Sequence, residues 1–264
     1  MKTTLSFPTN IPFAAWRTLV ALAIFGTMPV ISQSQSPITS GLAGYWSGNG
    51  NANDSSVNAN NGSFSGTYAS GQSGQEAFQV NGANSYVSIP AISAYNFSSA
   101  FSVDLWFYGS PANGSVFLGQ DNGGGTQNKW FVDYGYFTSG SFDFHENGST
   151  YGFLSSDAAS PASATWNNLA VVKDGSLYSF YLNGSGIGSQ TLSGTFPQQT
   201  APFTIGYAEP GLGYNGLIDD VALYNRALSA SEVQELAATP EPSTLALSSL
   251  VAASLFACRR KLSK

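Results

Sequence analysis

The stretch "WNNLAVVKDGSLYSFYLNGSGIGSQ" (166–190) constrains this chain more than any other. Two turn dipeptides, Asp174-Gly175 and Asn183-Gly184, separate runs of about seven residues rich in Val, Leu, Tyr and Phe. Such dipeptides supply the positive φ that two-residue hairpin turns need, so three antiparallel strands in succession are expected. The same alternation fills the chain from Gly41 onward. "GLAGYWSG" (41–48), "EAFQVNG" (76–82), "SYVSIP" (85–90) and "FSVDLWFYG" (101–109) all have ordinary strand lengths. In the last, Phe101, Val103, Leu105 and Phe107 share one face, and Ser102, Asp104, Trp106 and Tyr108 the other. "SVFLGQD", "KWFVDYGYF", "SFDFHENG" and "FTIGYA" add further strands. About a dozen strands in one chain require two packed sheets or a closed one, because a single open sheet that wide would leave long exposed edges. Outside the termini one segment reads as a helix: Ser229 stands as N-cap, with Glu232 three residues later to reciprocate.

Composition agrees with an all-β body. Only 9% of residues are charged, so the strong helix formers Lys, Glu and Arg are scarce, while 14% are aromatic, too many for a disordered chain. Charge is unevenly placed. Between Asp54 and Glu235 lie 14 acidic residues against three basic ones, Lys129, Lys173 and Arg226, a net of −11. A body of that sign with no basic stripe is a poor nucleic-acid partner and is better suited to calcium or neutral glycans. Cys258, the only cysteine, lies in the C-terminal tail, so no disulfide staples the body.

The two ends address the protein. Residues 1–36 read as a cleaved secretory signal helix: Lys2 and Arg17 are the positive region, Thr18 to Ile31 is uncharged and mostly apolar, and Ser32-Gln33-Ser34 offers small residues for cleavage. At the other end, Ser243 to Cys258 is an uncharged run of 16 residues, short for a membrane span but followed by Arg259-Arg260-Lys261, which the positive-inside rule keeps cytoplasmic. Pro240-Glu241-Pro242, then the apolar helix, then the basic cluster closely resemble the bacterial PEP-CTERM sorting signal. That resemblance implies export, transient anchoring by the C-terminal membrane helix, and cleavage near Pro-Glu-Pro by an exosortase, with surface delivery linked to exopolysaccharide. The chain therefore divides into a signal peptide (1–36), a body (37–238) and a sorting tail (239–264).

Five body segments, "GLAGYWSGNGNANDSSVNANNGSFSG", "GQEAFQVNGANSYVSIP", "FSVDLWFY", "WNNLAVVKDGSLYSFYLNGSGIGS" and "YNGLIDDVALYNRALSASEV", occur in the order seen in laminin-G-like, concanavalin-A-like domains. The resemblance runs from about Gly41 to Leu236 and implies a two-sheet antiparallel jelly-roll sandwich. Its functions are diverse, including lectins, adhesion modules and glycan hydrolases, so the site must decide.

Hydrolases of the resembling family carry Glu-x-Asp-x-x-Glu on one strand, and this chain has no such string. In "SFDFHENG", Asp143 and His145 share a face and Glu146 points away. One carboxylate beside one imidazole cannot form a retaining pair, and a glycan-processing enzyme would need Asp133 with Asp143. Neither a nucleophile elbow in a strand-to-helix setting nor a dinucleotide fingerprint is present. The resemblance implies a structural calcium ion held by Asp54, Asn81, the Gly82 backbone and Asp219. On Asp219 the alternative is a carboxylate held by backbone amides or Arg226, and on Asp54 it is turn formation. Trp130, Tyr134 and Tyr136 alternate along one strand and, with Asp143 and His145, are the candidate glycan contacts, although such aromatics also build jelly-roll cores. The expectation is an exported, non-catalytic surface or matrix protein that binds extracellular polysaccharide or a surface glycan.

Overall fold

The computed structural model describes residues 37–72, 75–82, 84–91, 97, 99–121, 128–147, 151–194, 196 and 200–238. The signal helix expected over 1–36, the membrane helix over 243–258 and Pro240, Glu241 and Pro242 lie outside the described residues. Among those that are described, no helix is long and apolar enough to cross a membrane.

Among the described residues the body has seventeen strands and one helix. In chain order the first strands are β1 (Leu42–Trp46), β2 (Ser63–Phe64), β3 (Thr67–Ser70), β4 (Glu76–Asn81), β5 (Val87–Ile89) and β6 (Ala100–Tyr108). Then come β7 (Ser115–Gln120), β8 (Lys129–Tyr134), β9 (Phe142–Asn147), β10 (Tyr151–Ser155), β11 (Trp166–Asp174) and β12 (Leu177–Leu182). The last are β13 (Ser185–Thr191), β14 (Phe203–Ile205), β15 (Tyr207–Glu209), β16 (Leu212–Gly213), β17 (Asn215–Tyr224) and helix α1 (Ala230–Ala237). One sheet runs β13-β12-β11-β6-β17-β4-β3, with β1 also paired to β17; the other runs β10-β9-β8-β7-β14-β5-β2. All pairings are antiparallel, and β15 and β16 form a separate hairpin. Two stacked antiparallel sheets are one of the two arrangements that the strand count allows, and they form the jelly-roll sandwich that the resemblance implies.

Between the sheets lies a core of apolar residues from alternate positions, including Phe101, Val103, Leu105 and Phe107 of β6, as their parity predicts. The opposite face of β6 is not left to solvent. Its neighbours Tyr45, Ala170, Val172, Ala222 and Tyr224 join Leu228, Val233 and Leu236 in a second apolar cluster, so α1 covers the outside of the first sheet. That cover explains why Ser102, Asp104 and Trp106 are all buried although they face outward.

Both hairpins form where the turn dipeptides stand, with one adjustment. Asn183 and Gly184 take φ of 51° and 74°, the doubly left-handed geometry of a two-residue type I′ turn. In the first hairpin Asp174 remains the last strand residue, paired with Leu177, and the loop is Gly175-Ser176 with only Gly175 at positive φ. The turn thus slides by one residue into the form that needs glycine at its first position. Helix α1 begins with the expected capping box: Ser229 Oγ accepts from the Glu232 amide, and Glu232 reaches back to the Ser229 amide at 2.8 Å. Arg226 locks the same carboxylate at 2.6 Å. Ser229→Ala is expected to lower stability by about 1 kcal/mol, read as a reduced urea midpoint at unchanged slope.

Candidate functional site

The site is built on the outer face of the second sheet, around β8 and β9. Along β8, Trp130, Val132 and Tyr134 point into the core, leaving Lys129, Phe131 and Asp133 for the other face. The strand stops at Gly135, whose φ of 69° is left-handed and where a Cβ would come within 2.1 Å of Asn113 Oδ1. Only glycine fits there. The kink turns the chain back over the outer face, so Tyr136 and Phe137 do not continue the inward row. Tyr136 lies edge-on to Phe131 at 6.1 Å, and Phe137 edge-on to His145 at 5.6 Å and against Phe153. The two rings meet each other edge to face and stay 43% and 39% exposed. Neutral polar residues follow them in the loop: Asn113 Nδ2 donates to Ser139 Oγ, and the Thr138 and Ser155 hydroxyls pair at 2.9 Å.

Beneath this loop Asp133 and Asp143 stand directly opposite one another on adjacent strands, both fully buried. Asp133 Oδ1 accepts from the Tyr136 amide at 3.1 Å, and Asp143 Oδ2 from the amides of Phe137 and Thr138 at 3.1 and 3.3 Å. The loop is therefore sewn to the sheet by two carboxyl groups. Burial first, and then the charge of Asp143, push the Asp133 carboxyl well above the usual range. His145 is the third polar group of the face, enclosed by Phe131 at 4.4 Å, Phe153 at 4.5 Å and Phe137. Burial, with the Lys129 ammonium second, holds its pKa down to about 3, so the ring is neutral at physiological pH. Lys129 itself pairs with Asp121 at 3.1 Å and Glu209 at 3.7 Å.

Several expected contacts move. Trp130 and Tyr134 lie between the sheets, with the Trp130 ring nitrogen donating to Gln120 Oε1 at 3.0 Å, and they offer no surface to a glycan. The reason is strand parity: Trp130, Val132 and Tyr134 form the inward row of β8, and that row contains both aromatics. Tyr136 is exposed but belongs to the opposite side because of Gly135. His145, expected among the glycan contacts, is only 3% exposed. Asp143 and His145 share a face as alternation predicts, while Glu146 points inward and accepts from the Tyr178 hydroxyl. Phe137 and Phe153 were not anticipated; the signal for Phe137 was its position beside Tyr136 in a Gly-bracketed "GYFTSG" loop.

As a retaining pair, Asp133 and Asp143 are too enclosed: both side chains are fully buried, and one oxygen of each is taken by amides of the loop above. The proposed calcium residues are not brought together either. Asp54 is filled by backbone amides, those of Tyr45 and Ser56 on one oxygen and Asn60 on the other, which is the turn-forming alternative. Asn81 pairs with Asn215, four residues along β17 from Asp219, about 13 Å at the usual strand rise. The Gly82 carbonyl accepts from the Ser85 amide. Asp219 takes the Gln72 and Asp220 amides at 2.8 and 3.0 Å, while Arg226 is committed to Glu232. These four do not fit a single ion, and among the described residues no group of three or more His, Cys, Asp or Glu side chains is placed to hold a metal.

Two stacked antiparallel sheets in this strand order are a concanavalin-A-like jelly-roll sandwich. The family described as the concanavalin A-like lectin/glucanases superfamily, Laminin_G_3, matches residues 81–234, more than half of the chain, and the chain belongs to it. A PEP-CTERM protein-sorting motif matches residues 238–261, which implies exosortase processing and export to the cell envelope or surface. A search of curated protein sequences finds no match. Among solved structures, domain 4 of AbnA, a GH43 extracellular arabinanase from Geobacillus stearothermophilus captured with arabinotriose, is similar at TM-score 0.61 and 21% identity, covering 76% of this chain and all of that one. The binding domain of Paraclostridial Mosquitocidal Protein 1 follows at TM-score 0.57 and 16% identity, covering 75% of this chain and 52% of that one. The Botulinum neurotoxin type G receptor binding domain gives 0.51 and 16%, covering 75% and 51%. The chain spans about half the length of these toxin domains. At such identities the likeness is one of fold.

Proposed function

We propose that the protein is a surface glycan-binding module, carried out of the cell by its sorting signal, that holds neutral extracellular polysaccharide on the Tyr136–Phe137 loop. The observation that carries this reading is the exposed pair of aromatic rings, set edge to face in a loop that continues with the hydroxyl residues Thr138 and Ser139. Sugar rings present C–H faces that stack on aromatics and hydroxyls that bond to such residues. The net charge of −11 between Asp54 and Glu235 favours an uncharged polysaccharide over an acidic one. Neighbouring folds whose names include a sugar complex or a receptor-binding role lend support of the same kind.

Binding of the exported protein to an array of neutral and acidic glycans, beside a hydrolysis assay on the same set, tests the reading. The double variant Tyr136→Ala/Phe137→Ala is expected to weaken binding by at least about tenfold, or about 1.4 kcal/mol. Its thermal midpoint should hardly move, because the rings are half exposed. Unchanged binding by that variant would remove the loop from the site, and turnover of a glycan would favour the enzymatic alternative.

A further inference from the structure

The aromatic loop stands on a pair of acids, and the oxygens that remain after the loop is bonded decide how that pair behaves. Asp133 Oδ1 and Asp143 Oδ2 are used by the amides of residues 136–138. Asp133 Oδ2 and Asp143 Oδ1 are buried and, among the described residues, receive no donor. The two side chains belong to directly opposed residues of β8 and β9. Two buried carboxylate oxygens with no donor are costly together, and a single proton placed between them satisfies both. The flanking strands supply no charge to replace it: Val116 of β7 lies across from Asp133, and Ser155 of β10 across from Asp143.

We infer that Asp133 and Asp143 are positioning residues that share one proton, and that this proton keeps the Tyr136–Phe137 loop docked on the sheet. Loss of the proton leaves two adjacent negative charges in an apolar setting, and the loop must lift to admit water. The direction of the Asp133 shift agrees, upward through burial and through Asp143. Other titratable groups on the face do not take over this task. His145 stays neutral with its pKa near 3, Lys129 is engaged by Asp121 and Glu209, and the Tyr136 phenol sits on the loop itself. A carboxyl raised in the folded state binds more protons there than in the open state, so loop docking weakens as pH rises and does not weaken as pH falls. Where the glycan reading above holds, affinity should fall along the same curve.

The experiment is hydrogen exchange of the exported protein, followed by mass spectrometry of the peptide containing residues 135–141, from about pH 5 to about pH 9. Asp133→Asn serves as the reference, because its amide nitrogen can donate permanently to Asp143 Oδ1 while its oxygen still accepts from Tyr136. Protection in the wild type is expected to fall relative to Asp133→Asn by up to about tenfold per pH unit above the titration, the limit for one proton. Parallel pH profiles in the two proteins would overturn the inference. Asp143→Asn provides a second reference should Asp133→Asn fold poorly, and a loop left unprotected by both variants in otherwise folded protein would also overturn it. The readout needs no glycan: a pH-dependent loop in a protein that binds no sugar would sink the binding reading alone, while sugar binding with a pH-independent loop would sink only the shared proton.

Discussion

Trp130→Ala is expected to lower the stability of the sandwich by about 3–5 kcal/mol, a large share of the roughly 5–15 kcal/mol that holds a typical domain together. The indole is fully buried between the sheets. It stacks near Phe144 at 5.8 Å and Phe203 at 6.0 Å, and it tilts against Phe101 and Phe196. Truncation would open a cavity at the centre of this aromatic group and strip Gln120 Oε1 of its indole donor, although Gln120 keeps its bond to the Ala201 carbonyl. Both losses act in the folded state, so unfolding should move to lower urea with the slope preserved. The same substitution separates the two roles once open to this residue. A stacking platform for sugar would lose affinity at constant stability; a core residue loses stability first. Full affinity loss with an unchanged urea midpoint would contradict the burial.

Raising the pH from about 5 to about 9 is expected to destabilise the body by several kcal/mol, with Asp104 among the contributors. Asp104 points outward from β6 yet is enclosed by α1, with both oxygens taking bonds from Asn168 Nδ2 at 3.1 Å. Burial drives its pKa up to about 8, Asn168 opposes, and Asp220 adds to the rise. A cavity of about 10 Å³ beside it is lined by Asp220, Tyr45, Trp106 and Leu236 among others. Asp220, whose carboxylate accepts from the Tyr45 hydroxyl, is raised to about 6 by burial, and Asp219 to about 8 by burial and then by Asp220. Unfolded aspartate titrates near 4, so between that value and the folded one the native state holds the extra proton and loses stability as pH climbs. For Asp104 alone the span corresponds to on the order of 5 kcal/mol. Asp104→Asn keeps an acceptor for Asn168 and removes the titration, so its thermal midpoint should vary less between about pH 6 and about pH 9 than that of the wild type. Identical pH dependence in the two proteins would remove Asp104 as a contributor.

Much of this fold could be read along the chain, for identifiable reasons. The period-two pattern of β6 places Phe101 to Phe107 inward without ambiguity, and Ser229 with Glu232 marks the start of α1. The glycine of the first hairpin was enough to place that turn within one residue. The candidate site was less legible because its placement depends on one dihedral angle. Parity extended from Trp130 through Tyr134 carries Tyr136 onto the same row, and nothing in "DYGYF" distinguishes a glycine that continues a strand from one that ends it. The left-handed Gly135 reverses the row and brings Tyr136 over Phe131. Asp133 and Asp143 were visible as acids of alternating strands, but their direct opposition is a matter of register, which the hairpin loop between them sets. The residues that the resemblance implies for calcium are spread for a related reason: Asn81 and Asp219 belong to paired strands, but the pairing offsets them by four positions.

Helix α1 also fixes how the body would meet the machinery that releases it. Leu236 is clamped in the outer apolar cluster, and only Ala238 and Thr239 separate the helix from Pro240. Ala238, Thr239 and the step to Pro240 span at most about 10 Å of fully extended chain, so the Pro-Glu-Pro motif follows the helix within that length. Lengthening this junction by a few glycines and serines should speed processing at the motif if steric crowding limits it.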